Sequence, residues 1–488
     1  MKKWLKEQGI RLLMTVSVLT GLIAGGIPAY AASGPNSYNY TYWGETAAAP
    51  AAYQPKKLIT GASLGIGELK EPSDIHVTSQ NRVYVLDSGN NRIVVLEGGY
   101  KKAEIIDSFD NKGKKETFQN PQGIYVTDDG QVIVADTGNN RVVHLDSNHK
   151  LVKIIGAPQS DLLQANFTFQ PARVIMDKAQ RIYVMATGVF DGLMEFSANG
   201  DFTSFIGANK VQVDPVEYFW KMLSTKEQRS QMVMFTPTEF TNVDINDEGF
   251  IYATNADTSG NNIKMLNAQG TDILRREGKY PPQGDIRYTS NEERSRLIDI
   301  DVADSEIYSV LDSKKGRIFT YNGDGHLMYI FGGLGNQLGQ FHTPIAMERA
   351  GDDFLVLDKA LGEVTVYEMT EYGRTLTEAV RSYYRGDEEK AFEAYNETIN
   401  LNANLEFAYS GIGKALNRKG AYYDAMEHFK LSLDQENYSK SFLLYRKEVL
   451  REHFSLIMTI GIILAAGALV AGRLGKLRAR KKVVSIDD

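Results

Sequence analysis

The residues able to do chemistry are few and badly spaced for it. The 488-residue chain has seven histidines and no cysteine. His76, His144, His149, His326 and His342 lie between residues 57 and 370 without a His-x-His or His-Glu-x-x-His spacing, so no metal site is expected. Asp87, Asp136, Asp312 and Asp358 stand at equivalent turns, one in each of four separate segments. An aspartate so placed accepts backbone N–H groups of its turn. Asp128-Asp129-Gly130 and Asn322-Gly323-Asp324-Gly325 read as hairpin turns, not calcium loops. Gly332-Gly333-Leu334-Gly335 follows a strand but enters no helix, which removes a dinucleotide reading. No catalytic residue, cofactor or metal follows from these patterns. A polar set remains: Asp74, Arg173, Asn242, Asp299 and His342 each lie near the start of an apolar strand pattern. If those strand starts converge, the five form a channel mouth able to bind a polar ligand such as a sugar. The competing structural role is to bridge neighbouring elements through hydrogen bonds.

The elements that would position these residues are repeats. Residues 71–96 read EPSDIHVTSQNRVYVLDSGNNRIVVL, and residues 120–145 read NPQGIYVTDDGQVIVADTGNNRVVHL. Pro72 and Pro121, Asp87 and Asp136, and Arg92 and Arg141 are each 49 residues apart. A fixed period of that size signals a repeat architecture. Within each copy apolar residues alternate over three short stretches, such as Ile75 with Val77 and Val83 with Val85, which is strand periodicity. Weaker copies begin near Pro171, Val243, Ile300 and Pro344. Six copies predict six propeller blades. Residues 57–61 (KLITG) resemble an outer strand ahead of the first copy and are expected to close the ring by pairing with the last blade.

The pattern Pro-x-x-Ile-x-Val, Val-x-Val-x-Asp, Gly-Asn-Asn-Arg resembles the NHL-repeat family of six-bladed β-propellers over roughly residues 57–370, most clearly in the first two copies. The resemblance implies a ring of blades around a central channel. Some propellers of this broad type are lyases or lactonases that use metal ions or histidines near that channel. His76, alternating with Ile75 and Val77, and His342 are the histidines such a role would need.

In chain order, residues 1–31 read as a secretory signal: Lys2, Lys3, Lys6 and Arg11, an apolar run over 12–27, then Ala29-Tyr30-Ala31. Residues 32–55 read as a linker whose tyrosines can pack on the following domain. Residues 56–372 form the propeller, with a helical insertion at 211–234 that presents Tyr218 and Phe219 as partner contacts. Over 373–437, Gly386 and Gly420, Ala391 and Ala425, and Tyr395 and Phe429 are each 34 residues apart. That period resembles tetratricopeptide repeats, in too few copies to stand alone. Tyr395 and Phe429 are expected in its core, and Tyr422 and Tyr423 at a partner-binding edge. A juxtamembrane helix over 438–453 leads into an uncharged apolar stretch at 454–472, long enough to span a bilayer. Six basic residues, from Arg473 to Lys482, open a cytoplasmic tail at 473–488.

The net charge is −7 although both ends are basic, so the region between them is acidic and a poor nucleic-acid binder. The expected fold is mainly β: a propeller, a small α-helical domain and one transmembrane helix. Expected localisation is a bacterial plasma membrane, of Gram-positive type, with the propeller outside and the C-terminus inside. The expected function is recognition or scaffolding of a protein partner or glycan, as an accessory to carbohydrate transport or wall-polymer handling. A propeller lyase or hydrolase is the alternative.

Overall fold

The structure, a computed structural model, describes residues 37–484 except 98, 161–162, 164–166, 209–237, 258–259 and 288–293. The proposed signal, the insertion at 211–234 with Tyr218 and Phe219, and the last four residues of the tail lie outside the described residues.

Six antiparallel sheets are the blades of a propeller. They are β4–β7 (residues 74–106), β10–β13 (123–155), β14–β17 (171–206), β18–β20 (240–266) and β21–β24 (297–332), then β25–β27 (344–369) with β3 (Tyr53–Thr60). The fourth blade has three strands among the described residues. Strand β3 pairs with β27 from Thr60 opposite Glu363 to Tyr53 opposite Met369. The N-terminal segment thus completes the last blade and closes the ring, as residues 57–61 predict. The second strands of the first, second and fifth blades are buried at every position, because both faces of each lie against neighbouring blades. The first strands touch one another in an unbroken circle around the axis. Gly123 sits where two of them approach closely: a Cβ there would lie 2.5 Å from the Ala172 carbonyl oxygen.

The Gly-Asn-Asn-Arg turn is held by its aspartate. Buried Asp87 accepts from the Lys70 backbone N–H at 2.7 Å, Asn90 Nδ2 at 2.8 Å and Arg92 Nε at 2.7 Å. Asp136 repeats the set with Gln119, Asn139 and Arg141. Asn91 and Asn140, at φ 55° and 52°, supply the left-handed residue that ends each turn. Where the Asn-Asn-Arg sequence is missing, backbone donors replace it. Asp358 accepts from the N–H groups of His342, Thr343, Ala360 and Leu361.

Residues 37–55 are not a free linker. Strands β1 (Tyr38–Tyr40) and β2 (Thr46–Ala48) form a hairpin that lies against the fifth blade. The Tyr40 hydroxyl donates to Asp285 Oδ1 at 2.5 Å, and Lys315 and Arg317 pair with Asp285 Oδ2 at 2.8 and 2.9 Å. Composition suggested a linker because the segment lacks periodicity, but aromatic anchors of this kind need none.

Six helices follow among the described residues: α1 (Glu371–Arg385), α2 (Glu388–Leu401), α3 (Glu406–Arg418), α4 (Tyr422–Leu431), α5 (Gln435–Glu452) and α6 (Phe454–Val484). Thr370 caps α1, accepting from Gly373 N–H at 3.2 Å and donating to the Ala51 carbonyl at 2.6 Å. This fixes the first helix directly to the end of the propeller. The two regions share one core, in which Tyr53, Tyr329, Phe354 and Tyr367 of the propeller pack with Leu376, Val380, Tyr395 and Ile412 of the helices. Tyr395 and Phe429 are core residues, as their spacing predicts, at 2% and 1% exposure. Their rings lie against glycines of α3: a Cβ on Gly411 would meet the Tyr395 ring at 2.4 Å, and one on Gly413 the Phe429 ring at 2.7 Å. Gly411→Leu is therefore expected to destabilise the helical region by about 1–3 kcal/mol through overpacking. Limited proteolysis between α2 and α4 would read this as faster cleavage, and unchanged cleavage would contradict it.

Candidate functional site

Four of the five residues expected at a channel mouth converge on the axis. Asp74, Arg173, Asn242 and Asp299 line one small cavity with His76, Tyr125, Asp244 and Glu348. His342 does not join them. It is exposed, its backbone N–H is bound to Asp358, and its Nε2 lies 2.5 Å from Asn336 Oδ1. It precedes Pro344, so the sixth inner strand has not yet begun where it sits.

The axial residues serve the ring itself. Asp74 Oδ2 accepts from Ile124 N–H of the next blade at 2.8 Å. Asp244 accepts from Val302 at 2.8 Å, Asp299 from Met347 at 2.5 Å, Asp301 from Arg349 at 3.1 Å, and Glu348 from Val77 at 3.4 Å. Each carboxylate reaches the inner strand of the following blade. Asn242 Nδ2 donates to Asp299 Oδ1, and Arg173 donates to the carbonyls of Gln122 and Ser73. These bonds are the bridging role that competed with ligand binding. The cavity they enclose has a volume of about 30 Å³, room for a water molecule or two but not for a sugar.

Sequence reasoning found the first tier of this ring and missed most of the second. Asp244, Asp301 and Glu348 stand two residues after Asn242, Asp299 and Ala346, and strand alternation carried that signal. Burial pushes the carboxyls of Asp74, Asp299 and Glu348 upward. Burial, then the charge of Asp301, pushes Asp244 up to about 7. Burial lowers His76 to about 4. His76 Nε2 lies 2.9 Å from the Val126 carbonyl oxygen and therefore carries the proton. Its bare Nδ1 faces Glu348 Oε1 at 3.3 Å, so a protonated Glu348 can donate to it. Among the described residues no three acid or histidine side chains are placed to hold one metal ion.

The space for a ligand lies elsewhere. A groove of about 560 Å³ opens where three parts of the chain meet: residues 39–42 of the N-terminal hairpin, residues 276–280 with His326, and the helical segments 405–410 and 432–440. That volume is in the range of small-molecule sites. Glu406 Oε1 accepts from Tyr42 N–H at 3.1 Å, which ties the hairpin to α3. The Lys279 ammonium sits 3.3 Å from the centre of the Tyr42 ring. Lys414 bonds Asp324 at 2.8 Å just below, joining α3 to the fifth blade. Asp434 caps α5, accepting from Asn437 N–H at 3.0 Å and Ser410 Oγ at 2.7 Å. Three basic side chains (Arg276, Lys279, Lys440) and four acidic ones (Glu277, Glu406, Asp434, Glu436) line the groove. The Asn39 carboxamide is buried, with the Tyr372 hydroxyl as its polar neighbour.

Tyr422 and Tyr423 lie outside this groove. Tyr422 is half-buried, while Tyr423 is 56% exposed with its ring 5.6 Å from that of Tyr445. The surplus aromatics Tyr383 and Tyr384 pack against the shared core, where Tyr384 also receives Arg275 of the propeller. They form an interface, but one within the chain.

A family model of the NHL repeat matches residues 69–96 and 118–145. These two segments are NHL repeats. No curated protein matches the chain in sequence. Among solved structures, virginiamycin B lyase from Staphylococcus aureus is 11% identical, with 65% of this chain and 100% of that chain covered and a TM-score of 0.40. A structural genomics protein of unknown function from Bacteroides thetaiotaomicron is 11% identical over 62% of this chain and 70% of that chain, at a TM-score of 0.41. The extracellular domain of a putative one component system from B. thetaiotaomicron is 8% identical over 61% of this chain and 33% of that chain, at 0.34. Likenesses this distant carry nothing about chemistry, and the fold rests on the strand order described above. Residues 454–478 of α6 are long and apolar enough to cross a membrane, with a mean hydropathy of 2.4 over an 18-residue window.

Proposed function

We propose that this chain is a membrane-anchored binding protein whose recognition site is the groove between propeller and helices. The groove itself carries the reading: it is a ligand-sized space, whereas the axial cavity is about 30 Å³. Its occupant is a polar partner without strong net charge, either a surface loop of a protein or a glycan, because three basic and four acidic side chains line the groove. The basic cluster after Gly472 and the N-terminal signal pattern support a topology with the propeller outside and the tail in the cytoplasm. The helical pairs keep their tetratricopeptide-like reading as a scaffold that frames one wall. A lyase or hydrolase working at the axis would find little room there.

The test places a photo-crosslinking residue at Gln435, on the groove wall, in the full chain within native membranes. Adducts are expected from that position and not from Lys112, on the hairpin of β8 (Ser108–Asn111) and β9 (Lys114–Thr117). Equal labelling at both positions, or none at Gln435, would remove the groove as the site.

A further inference from the structure

The last helix before the span has a face that no described residue covers. α5 packs on α4 through one side, where Ser441 is fully buried and Leu444, Tyr445 and Val449 are half-buried. The opposite side presents Leu443 at 42% and Leu450 at 48% exposure, two turns apart on one stripe. At about 100° per residue, Arg446 and Lys447 flank this stripe on its two sides. The acid on that side, Glu436, lies at the far end and is neutralised by Lys440 at 2.6 Å. One residue, His453, separates α5 from α6.

We propose that this face of α5 lies on the surface of the bilayer that α6 crosses, with Leu443 and Leu450 at the acyl boundary and Arg446 and Lys447 among anionic headgroups. The inference rests on the reading of α6 as a membrane span. Continuity carries it first: the helix with the exposed apolar stripe ends one residue from the span, so its C-terminal end is held close to the lipid surface. Chemistry carries it next. An apolar strip with basic residues on both flanks is the pattern of an interfacial helix, whose long side chains bury their stems and keep their charges at the headgroups. Each basic residue near an anionic surface adds electrostatic attraction. A second copy is the poorer occupant, because parallel pairing through this stripe sets Arg446 and Lys447 against their own equivalents. The consequence is positional: the propeller lies beside the membrane, where an upright α5 would hold it about 27 Å away.

The absence of cysteine in the chain makes the test direct. Single cysteines replace Leu443, Leu450, Ile463 or Lys430 in the full chain, which is labelled with an environment-sensitive fluorophore. The protein is reconstituted into vesicles of phosphatidylcholine alone, or of seven parts phosphatidylcholine to three of phosphatidylglycerol. Labels at Leu443→Cys and Leu450→Cys are expected to shift to the blue and to be quenched by spin labels near the headgroups. The label at Ile463→Cys should respond to deep spin labels, and that at Lys430→Cys to neither. Water-exposed labels at 443 and 450 beside a quenched 463 would overturn the proposal, whereas an unquenched 463 would overturn the span itself. Blue shifts that lipid spin labels leave alone, and that grow with protein density, would assign the face to a second copy instead. Arg446→Glu with Lys447→Glu should lower quenching at 443 at least about two-fold in the anionic vesicles, by loss of headgroup attraction. Equal quenching in that variant would overturn the headgroup assignment.

Discussion

Asp136→Ala is expected to destabilise the propeller by about 3–5 kcal/mol, the scale of removing one partner from a buried charged pair. The carboxylate is fully buried and serves three donors from three places in the blade: Gln119 N–H, Asn139 Nδ2 and Arg141 Nε. Its loss strands the guanidinium Nε and an amide beside a cavity, and groups left so cost their full desolvation. Arg141 keeps its contact with Glu116, which limits the damage to this blade. Asp136→Asn is the sharper variant. Its volume is nearly native, yet its amide NH₂ must face either Gln119 N–H or the Asn139 and Arg141 donors. We expect it to behave like the alanine variant, with a fall in Tm of roughly 5 °C or more for either. Thermal melts of the full chain in detergent, followed by circular dichroism, measure this. A Tm within about 1 °C of the parent for the asparagine variant would show that geometry, not charge, is what the turn requires.

The second large effect is on pH dependence. Asp244 has a folded pKa of about 7 against an ordinary value of 3.8, from burial and the neighbouring Asp301. Its contribution to stability is therefore full below about pH 4 and is lost as pH rises through 7. Asp74, Asp299 and Glu348 shift in the same direction. His76 runs the other way: with its pKa lowered from 6.5 to about 4, its contribution is full above pH 6.5 and is lost as pH falls through 4. The axial ring should thus be most stable in mildly acidic solution and weaken towards pH 8. Asp244→Asn removes one titrating group and keeps one acceptor for the Ile245 or Val302 N–H. Between pH 5 and 8 the parent is expected to lose roughly 2–4 kcal/mol more stability than the variant, by linkage over about three pH units. Parallel stability curves for the two proteins would contradict this, because they require a carboxylate that titrates normally.

What the sequence determined by itself is everything written in a short period. Alternation and the 49-residue repeat specify blades, and the recurring aspartates specify turns, because each such feature is closed by residues within about one blade of chain. The 34-residue period places Tyr395 and Phe429 in a core for the same reason, and the uncharged run after His453 is by itself long and apolar enough to cross a membrane. Asp74, Arg173, Asn242 and Asp299 are legible as axial residues because every blade starts its inner strand at an equivalent position. His342 misleads because it stands just before such a start. The tertiary structure alone decided the rest. Tyr40 reaches Asp285 across 245 residues, Lys414 reaches Asp324 across 90, and Tyr42 reaches Glu406 across 364. These contacts join segments that share no repeat, so no spacing records them, yet they build the groove and seat the helices on the propeller. Whether axial carboxylates bind a ligand or lace the blades together was likewise a matter of available space. Close packing of six inner strands, with a cavity of about 30 Å³ among them, favours lacing.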